Sequence, residues 1–191
     1  MQPPVDPNVI TAARLPLAPV AVVFTVMQEP WAFVVAAVLA LLLEVTDLLD
    51  GWMARRYDVV SDFGKLFDPF SDAFCRFTLF LGLYAIGVAD LWMILAIFYR
   101  DSSISFFRSV AAVRKVVLAA RPSGKAKAVV QGVGTQVVFI ALVAAAYLPE
   151  QTWLAQVPWW TMLIVTLFTI GSFVDYFVGN LPLLRAAWND K

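Results

Sequence analysis

The chain has no histidine among its 191 residues and only one cysteine, Cys75. Without histidine there is no imidazole base, no Ser/His/Asp triad and no His-ligated zinc. A lone thiol cannot close an intrachain disulfide. Charge is also scarce: 15% of residues are Asp, Glu, Lys or Arg, against 61% hydrophobic, and the mean hydropathy is +0.79. Soluble domains rarely carry so few charges. The net charge is zero, so no basic footprint for nucleic acid is present. The N-terminal stretch "MQPPVDPNVITAARLPLAP" has no basic region ahead of an apolar core and does not read as a cleavable signal peptide. Any chemistry must therefore use carboxylates, Lys or Arg, hydroxyls, or a metal held by oxygen.

What is present points to an all-α, polytopic integral membrane protein. It reads as one domain over 1–191, with a short interfacial segment at 1–14. Six helices are expected at 9–26, 31–57, 62–86, 91–117, 123–147 and 157–186, separated by Gly-, Pro- and polar-rich breaks. In the second to fourth segments the apolar half is short, as in "WAFVVAAVLALLL", and a charged half follows or precedes it. Six transmembrane helices would place all the charged halves on one side. The loops at 27–30, 87–90 and 148–156 hold no Lys or Arg and one acid each, Glu29, Asp90 and Glu150. All 14 basic residues lie elsewhere. The positive-inside rule then puts both termini in the cytoplasm, which in a bacterium means insertion in the inner membrane. Intramembrane charges avoid lipid, so they should line a polar cavity that opens to the cytoplasm.

The densest group of charges is "DLLDGWMARRYDVVSDFGKLFDPFSD", residues 47–72, with six aspartates. At about 100° per residue, Asp47, Asp50, Gly51 and Ala54 share one helical face. Gly64, Asp68 and Asp72 share another. Folding this stretch as a hairpin brings Asp47 level with Asp72, Asp50 with Asp68 and Ala54 with Gly64. Four carboxylates then converge in two layers, with small residues beneath them that would let two neighbouring helices approach. Asp58 and Asp62 belong to the turn. Four close carboxylates repel one another, so something positive must sit among them. One candidate is the chain's own Arg55, Arg56, Lys65 and Arg76. The other is two divalent ions, Mg²⁺, Mn²⁺ or Ca²⁺, which hard oxygen donors favour; paired divalent ions suit phosphoryl chemistry.

The spacing Asp47-x2-Asp50-Gly51-x2-Ala54-Arg55-x8-Gly64-x3-Asp68-x3-Asp72 resembles the signature of the CDP-alcohol phosphatidyltransferase family at every fixed position. The resemblance implies membrane enzymes with six transmembrane helices, usually homodimers, that need Mg²⁺ or Mn²⁺. Such enzymes displace CMP from a CDP-linked lipid with an alcohol. Carried over, Asp47, Asp50, Asp68 and Asp72 would hold two metal ions, and Asp72 would also be the general base. Gly51, Ala54, Arg55 and Gly64 would shape the CDP pocket.

Three further stretches resemble the phosphatidylglycerophosphate synthase branch, which uses CDP-diacylglycerol and glycerol 3-phosphate. "NVITAARLPLAP" does so through Asn8, Thr11, Arg14 and Pro19, and Asn8 and Thr11 are added to the CDP-binding candidates. "SGKAKAVVQ" (123–131) does so with Ala128 in place of the usual Thr, and "SFVDYF" (172–177) is the third. At Arg100-Asp101 the chain departs from the Arg-Glu often seen in that branch. The residues themselves also favour a phosphorylated acceptor, because Arg100, Arg108, Arg114, Lys115, Arg121, Lys125 and Lys127 crowd the cytoplasmic ends of two helices. Arg108, Lys127 and Arg100 are the candidate contacts to the acceptor phosphate. The rival readings are an acceptor such as inositol phosphate, inositol or serine, a divalent-cation transporter, and a structural membrane subunit.

Overall fold

A computed structural model describes residues 6–57, 62–113 and 121–189. Asp58, Arg114 and Lys115 lie outside the described residues, as do the side chains of Ala54, Arg55, Asp62 and Lys65. The described chain is helical, and no strand occurs within it. Six α-helices follow in order: α1 (Pro7–Met27), α2 (Pro30–Arg56), α3 (Asp62–Ala85), α4 (Leu91–Val113), α5 (Pro122–Tyr147) and α6 (Val157–Asn189). They match the six expected segments to within a few residues. A 3₁₀ turn at Thr152–Gln156 occupies part of the expected loop before α6.

Local chemistry sets the boundaries. Pro7, Pro30 and Pro122 stand at helix starts, where a missing N–H leaves no hydrogen bond unmade. Asp6 caps α1 by accepting the Asn8 N–H at 2.9 Å. Gln28 ends it in the left-handed conformation, φ 55°. α1 begins at Pro7 and takes in residues 7–14 of the N-terminal segment. They are the first turns of a helix whose Thr11 and Arg14 are buried.

α1 packs along both α2 and α3, α5 joins α2 to α6, and α4 closes against α6 and α3. Direct contact between α2 and α3 is slight, since α1 lies between them. The sequence had suggested that α2 and α3 would be antiparallel neighbours, and among the described residues they touch only slightly. The expected approach of Ala54 to Gly64 lies outside the described residues, and the close approaches described use other small residues. Ala32, Ala36 and Ala40, one per turn of α2, are fully buried, as are Ala18 and Ala21 of α1. A Cβ on Gly82 of α3 would come within 3.0 Å of Val22 of α1.

Among the described residues, four helical stretches are long and apolar enough to cross a membrane: Asn8–Met27, Pro30–Met53, Pro122–Tyr147 and Thr152–Pro182. Their outer faces are greasy; Leu48, Ile140, Ile164 and Val178 are all exposed. Inside, Thr25, Thr135, Thr166 and Thr169 satisfy their hydroxyls on the carbonyl one turn back.

Candidate functional site

Two side chains of α1 organise the aspartates. Thr11 is fully buried, and its hydroxyl lies 2.8 Å from Asp50 Oδ2 and 3.3 Å from Asp68 Oδ1. One turn further along, Arg14 donates from Nη1 to Asp47 Oδ1 at 2.7 Å and from Nη2 to Asp72 Oδ1 at 2.8 Å. Its Nη1 is also 3.8 Å from Asp50 Oδ2. The two expected layers are therefore present: Asp50 and Asp68 share Thr11, and Asp47 and Asp72 share Arg14. In each pair α2 supplies one acid and α3 the other, with α1 between them.

The seam between α1 and α3 is pinned at the backbone. Ser71 donates to the Thr11 carbonyl at 3.3 Å, and Cys75 lies 3.5 Å from the Arg14 carbonyl. Ser71 and Cys75 are one turn apart on α3, and together they fix the height of α1 against Asp68 and Asp72. The single cysteine is thus a buried packing residue turned toward a carbonyl.

A third polar layer lies one turn beyond Asp47 and Asp72. Arg76 reaches Gln131 Oε1 at 3.3 Å and Glu44 Oε2 at 3.5 Å. Gln131, fully buried, donates to Thr169 at 3.1 Å. Gly132 makes room for Glu44, since a Cβ there would sit 2.8 Å from its Oε2.

On the other side of the bundle, α4, α5 and α6 bring together a second group. Asp101 accepts from Lys127 Nζ on both oxygens at 2.8 Å and from Arg100 Nη1 at 2.8 Å. Arg100 also donates to Ser172 at 3.1 Å. Two cations thus face one carboxylate, which leaves a net positive charge. Near the start of α5, Arg121 donates to Asp175, and Ser123 donates to the same carboxylate. The bond to Asp175 raises the Arg121 guanidinium above its ordinary pKa, so it remains a cation.

Arg100 and Lys127, two of the three candidate phosphate contacts, meet at Asp101. Arg108 does not join them; it is exposed on α4, without an ion-pair partner among the described residues. Gly51 is half-buried directly after Asp50, Gly64 is buried in the first turn of α3, and Asn8 is half-buried in the first turn of α1. The contacts of Ala54 and Arg55 lie outside the described residues. Sequence reasoning missed Arg14 as the cation among the aspartates. It was noted only as part of an N-terminal pattern, while Arg55, Arg56, Lys65 and Arg76 were the candidate partners. One signal was available. Thr11 and Arg14 are three residues apart, as are Asp47 and Asp50. Antiparallel packing of α1 on α2 in the register that pairs Thr11 with Asp50 also pairs Arg14 with Asp47.

Among the described residues, no group of three or more acidic or thiol side chains is set to hold a metal ion as it stands. The donor chemistry nevertheless fits a hard cation. Asp47, Asp50, Asp68 and Asp72 offer only oxygen, there is no histidine, and the one thiol faces a carbonyl. The Arg14 guanidinium supplies the positive charge that such a cluster requires. Its buried Nε has no hydrogen-bond partner, so the group is not fully accommodated.

Comparison with known proteins bears on this arrangement. A family model described as CDP-alcohol phosphatidyltransferase matches residues 5–171. A Bacillus subtilis protein named "CDP-diacylglycerol--glycerol-3-phosphate 3-phosphatidyltransferase" is 27% identical over 95% of this chain and 97% of its own length. Proteins of the same name from Treponema pallidum and Rickettsia bellii are each 31% identical. The first covers 80% of this chain and 72% of its own length, the second 65% and 69%. The matched region takes in both polar groups, from Thr11 and Arg14 through the four aspartates to Lys127, and the chain belongs to the CDP-alcohol phosphatidyltransferase family of enzymes.

Proposed function

We propose that the protein transfers a phosphatidyl group from CDP-diacylglycerol to glycerol 3-phosphate, releasing CMP and forming phosphatidylglycerol phosphate. The observation that carries this reading is a pairing of two groups in one bundle. Four aspartates converge on Thr11 and Arg14, while Arg100, Asp101 and Lys127 form a net-positive group that an uncharged alcohol would not need. The names of the relatives support the choice of acceptor.

Asp47, Asp50, Asp68 and Asp72 would hold the divalent ions, Mg²⁺ or Mn²⁺, which when bound neutralise pyrophosphate charge and stabilise the leaving CMP. The protein's own groups do the rest. The diacylglycerol tails stay in the bilayer while the pyrophosphate enters a polar cavity from the cytoplasmic side. Lys127 and Arg100 attract the acceptor phosphate and orient the glycerol. Asp72 takes the proton of the primary hydroxyl. The oxygen attacks the lipid-side phosphorus, and the bond to the CMP oxygen breaks. Asp72 suits this role because its side chain is 33% exposed, against 23% for Asp47 and 4% for Asp50.

The setting follows from the same reading. α3 and α4 join the four apolar stretches as spans, giving six with both termini in the cytoplasm. The charges that keep α4 from counting as apolar are Arg100, Asp101 and Arg108, and the first two are paired inside the bundle. In a bacterium this is an inner-membrane enzyme, and the family resemblance makes it a homodimer.

One assay tests the reaction. Purified protein is given CDP-diacylglycerol, Mg²⁺ and, separately, glycerol 3-phosphate, inositol phosphate, inositol and serine. CMP release is expected with glycerol 3-phosphate alone. Release with a different alcohol would reassign the acceptor, and release with none would overturn the reading.

A further inference from the structure

We infer that Arg14 is an internal stand-in for divalent metal: it holds the four-carboxylate cluster together when ions are absent and competes with them for it. This rests on the metal-dependent reading above. Arg14 is 3% exposed, too enclosed to be a solvated surface cation. Its two terminal nitrogens reach three of the four aspartates, at 2.7, 2.8 and 3.8 Å. Among the described residues, the four aspartates thus gather around one guanidinium, with Arg76 acting on Asp47 and Asp72 from the next layer. The pairing is incomplete, because Arg14 Nε is buried without a hydrogen-bond partner.

The same contacts occupy the carboxylates that would hold metal, and among the described residues no ready-made metal site is set. Asp47 and Asp72 turn one oxygen each to Arg14, and Thr11 engages Asp50 and Asp68. Divalent ions would bring up to four positive charges to these carboxylates. Arg14 would then change from counter-charge to like-charged neighbour, in a setting where repulsion is weakly screened. Its side chain must leave while its backbone stays, because Ser71 and Cys75 meet the Thr11 and Arg14 carbonyls from α3. Metal and guanidinium are thus two ligands for one site, and their affinities are linked reciprocally. The device keeps the acids from repelling one another before the ions arrive.

The probe is Mn²⁺ alone, with no lipid substrate, titrated into the detergent-solubilised full chain and read as free Mn²⁺ by electron paramagnetic resonance. Arg14→Gln removes the competing charge and should bind Mn²⁺ tighter than the unaltered protein by about tenfold or more. Arg14→Lys keeps the charge but loses the two-pronged contact, so its affinity should fall between the two. It also keeps the test alive if the Gln variant fails to fold without metal. In EDTA the Gln variant should melt about 5 °C or more below the unaltered protein, and saturating Mn²⁺ should close most of that gap. Equal or weaker Mn²⁺ binding by both variants, with the unaltered protein binding Mn²⁺ normally, overturns the role of Arg14 and leaves the metal reading intact. No Mn²⁺ binding by the unaltered protein overturns the metal reading and this inference with it.

Discussion

Thr11 has one hydroxyl proton and two carboxylates within reach, Asp50 and Asp68. Thr11→Val keeps the shape and removes that donor. Burying an unpaired acceptor typically costs about 1–3 kcal/mol, so in metal-free buffer the variant should lose stability in that range by denaturant titration in detergent. Thr11→Ser should restore most of the loss. Asp72→Asn keeps the size and removes the basic oxygen. Turnover should disappear while helix content by circular dichroism stays unchanged; an active, folded Asn variant would exclude the general-base role. Lys127→Met should raise KM for glycerol 3-phosphate about tenfold or more and leave KM for CDP-diacylglycerol unchanged, because the charge lost belongs to the acceptor side. At this scale the aspartate layers were legible: helical period puts Asp47 with Asp50 and Asp68 with Asp72 on one face each, and folding the hairpin sets Asp47 level with Asp72 and Asp50 with Asp68. Arg14 was not, because nothing within the hairpin points to a residue more than thirty positions upstream. The sequence likewise offered Arg100 only as a candidate contact to the acceptor phosphate, and the fold gives it Asp101 and Ser172.

Between elements the decisive feature is α1, inserted where α2 and α3 had been expected to touch. Register arguments work on consecutive helices joined by a short turn, and they carry no term for a third helix entering from outside. Helix ends were more legible, because Pro7, Pro30 and Pro122 mark starts by local stereochemistry. The 3₁₀ turn at Thr152–Gln156 was not legible, since its five residues carry no period to detect. Close packing makes a paired prediction. A Cβ on Gly134 of α5 would collide with the Val165 side chain of α6, and a β-branched valine has few ways to rotate clear. Gly134→Ala should destabilise by about 1–3 kcal/mol through forced separation of α5 and α6. Gly171 of α6 has nothing within 4 Å of the same position and is exposed. Gly171→Ala should be neutral, or stabilising by up to about 1 kcal/mol from helix propensity alone. Thermal melting of the two variants in one detergent separates packing from propensity.

For the molecule as a whole, the open question is whether α3 and α4 cross the bilayer. Neither is apolar enough to be counted among the four clear candidates. Composition penalises their charges, whereas the fold places Asp68, Asp72, Arg76, Arg100 and Asp101 against partners on other helices, where lipid does not meet them. The aromatic residues add a second argument. Trp31, Trp92, Trp153 and Trp160, all half or more exposed or nearly so, lie within a few residues of the acidic loops 27–30, 87–90 and 148–156, or inside one. Trp159 donates to Asp90 at 3.1 Å, which joins the start of α6 to the turn between α3 and α4. A tryptophan belt at one interface and all 14 basic residues away from it fit six crossings. Single cysteines test this directly in a Cys75→Ser background, at Glu29, Asp90 and Glu150 on one side and at Arg108 and Lys125 on the other. All five positions are exposed in the fold. In intact cells a membrane-impermeant maleimide should label the first three from outside and the last two only after permeabilisation. Glu29 and Asp90 are separated by α2 and α3, so labelling on opposite sides would remove α3 from the membrane. Asp90 and Arg108 flank the length of α4, so labelling of both from outside would remove α4. Either result would strip the bilayer from around the aspartate cluster or the Asp101 group, and with it the reason those charges are paired so tightly inside the bundle.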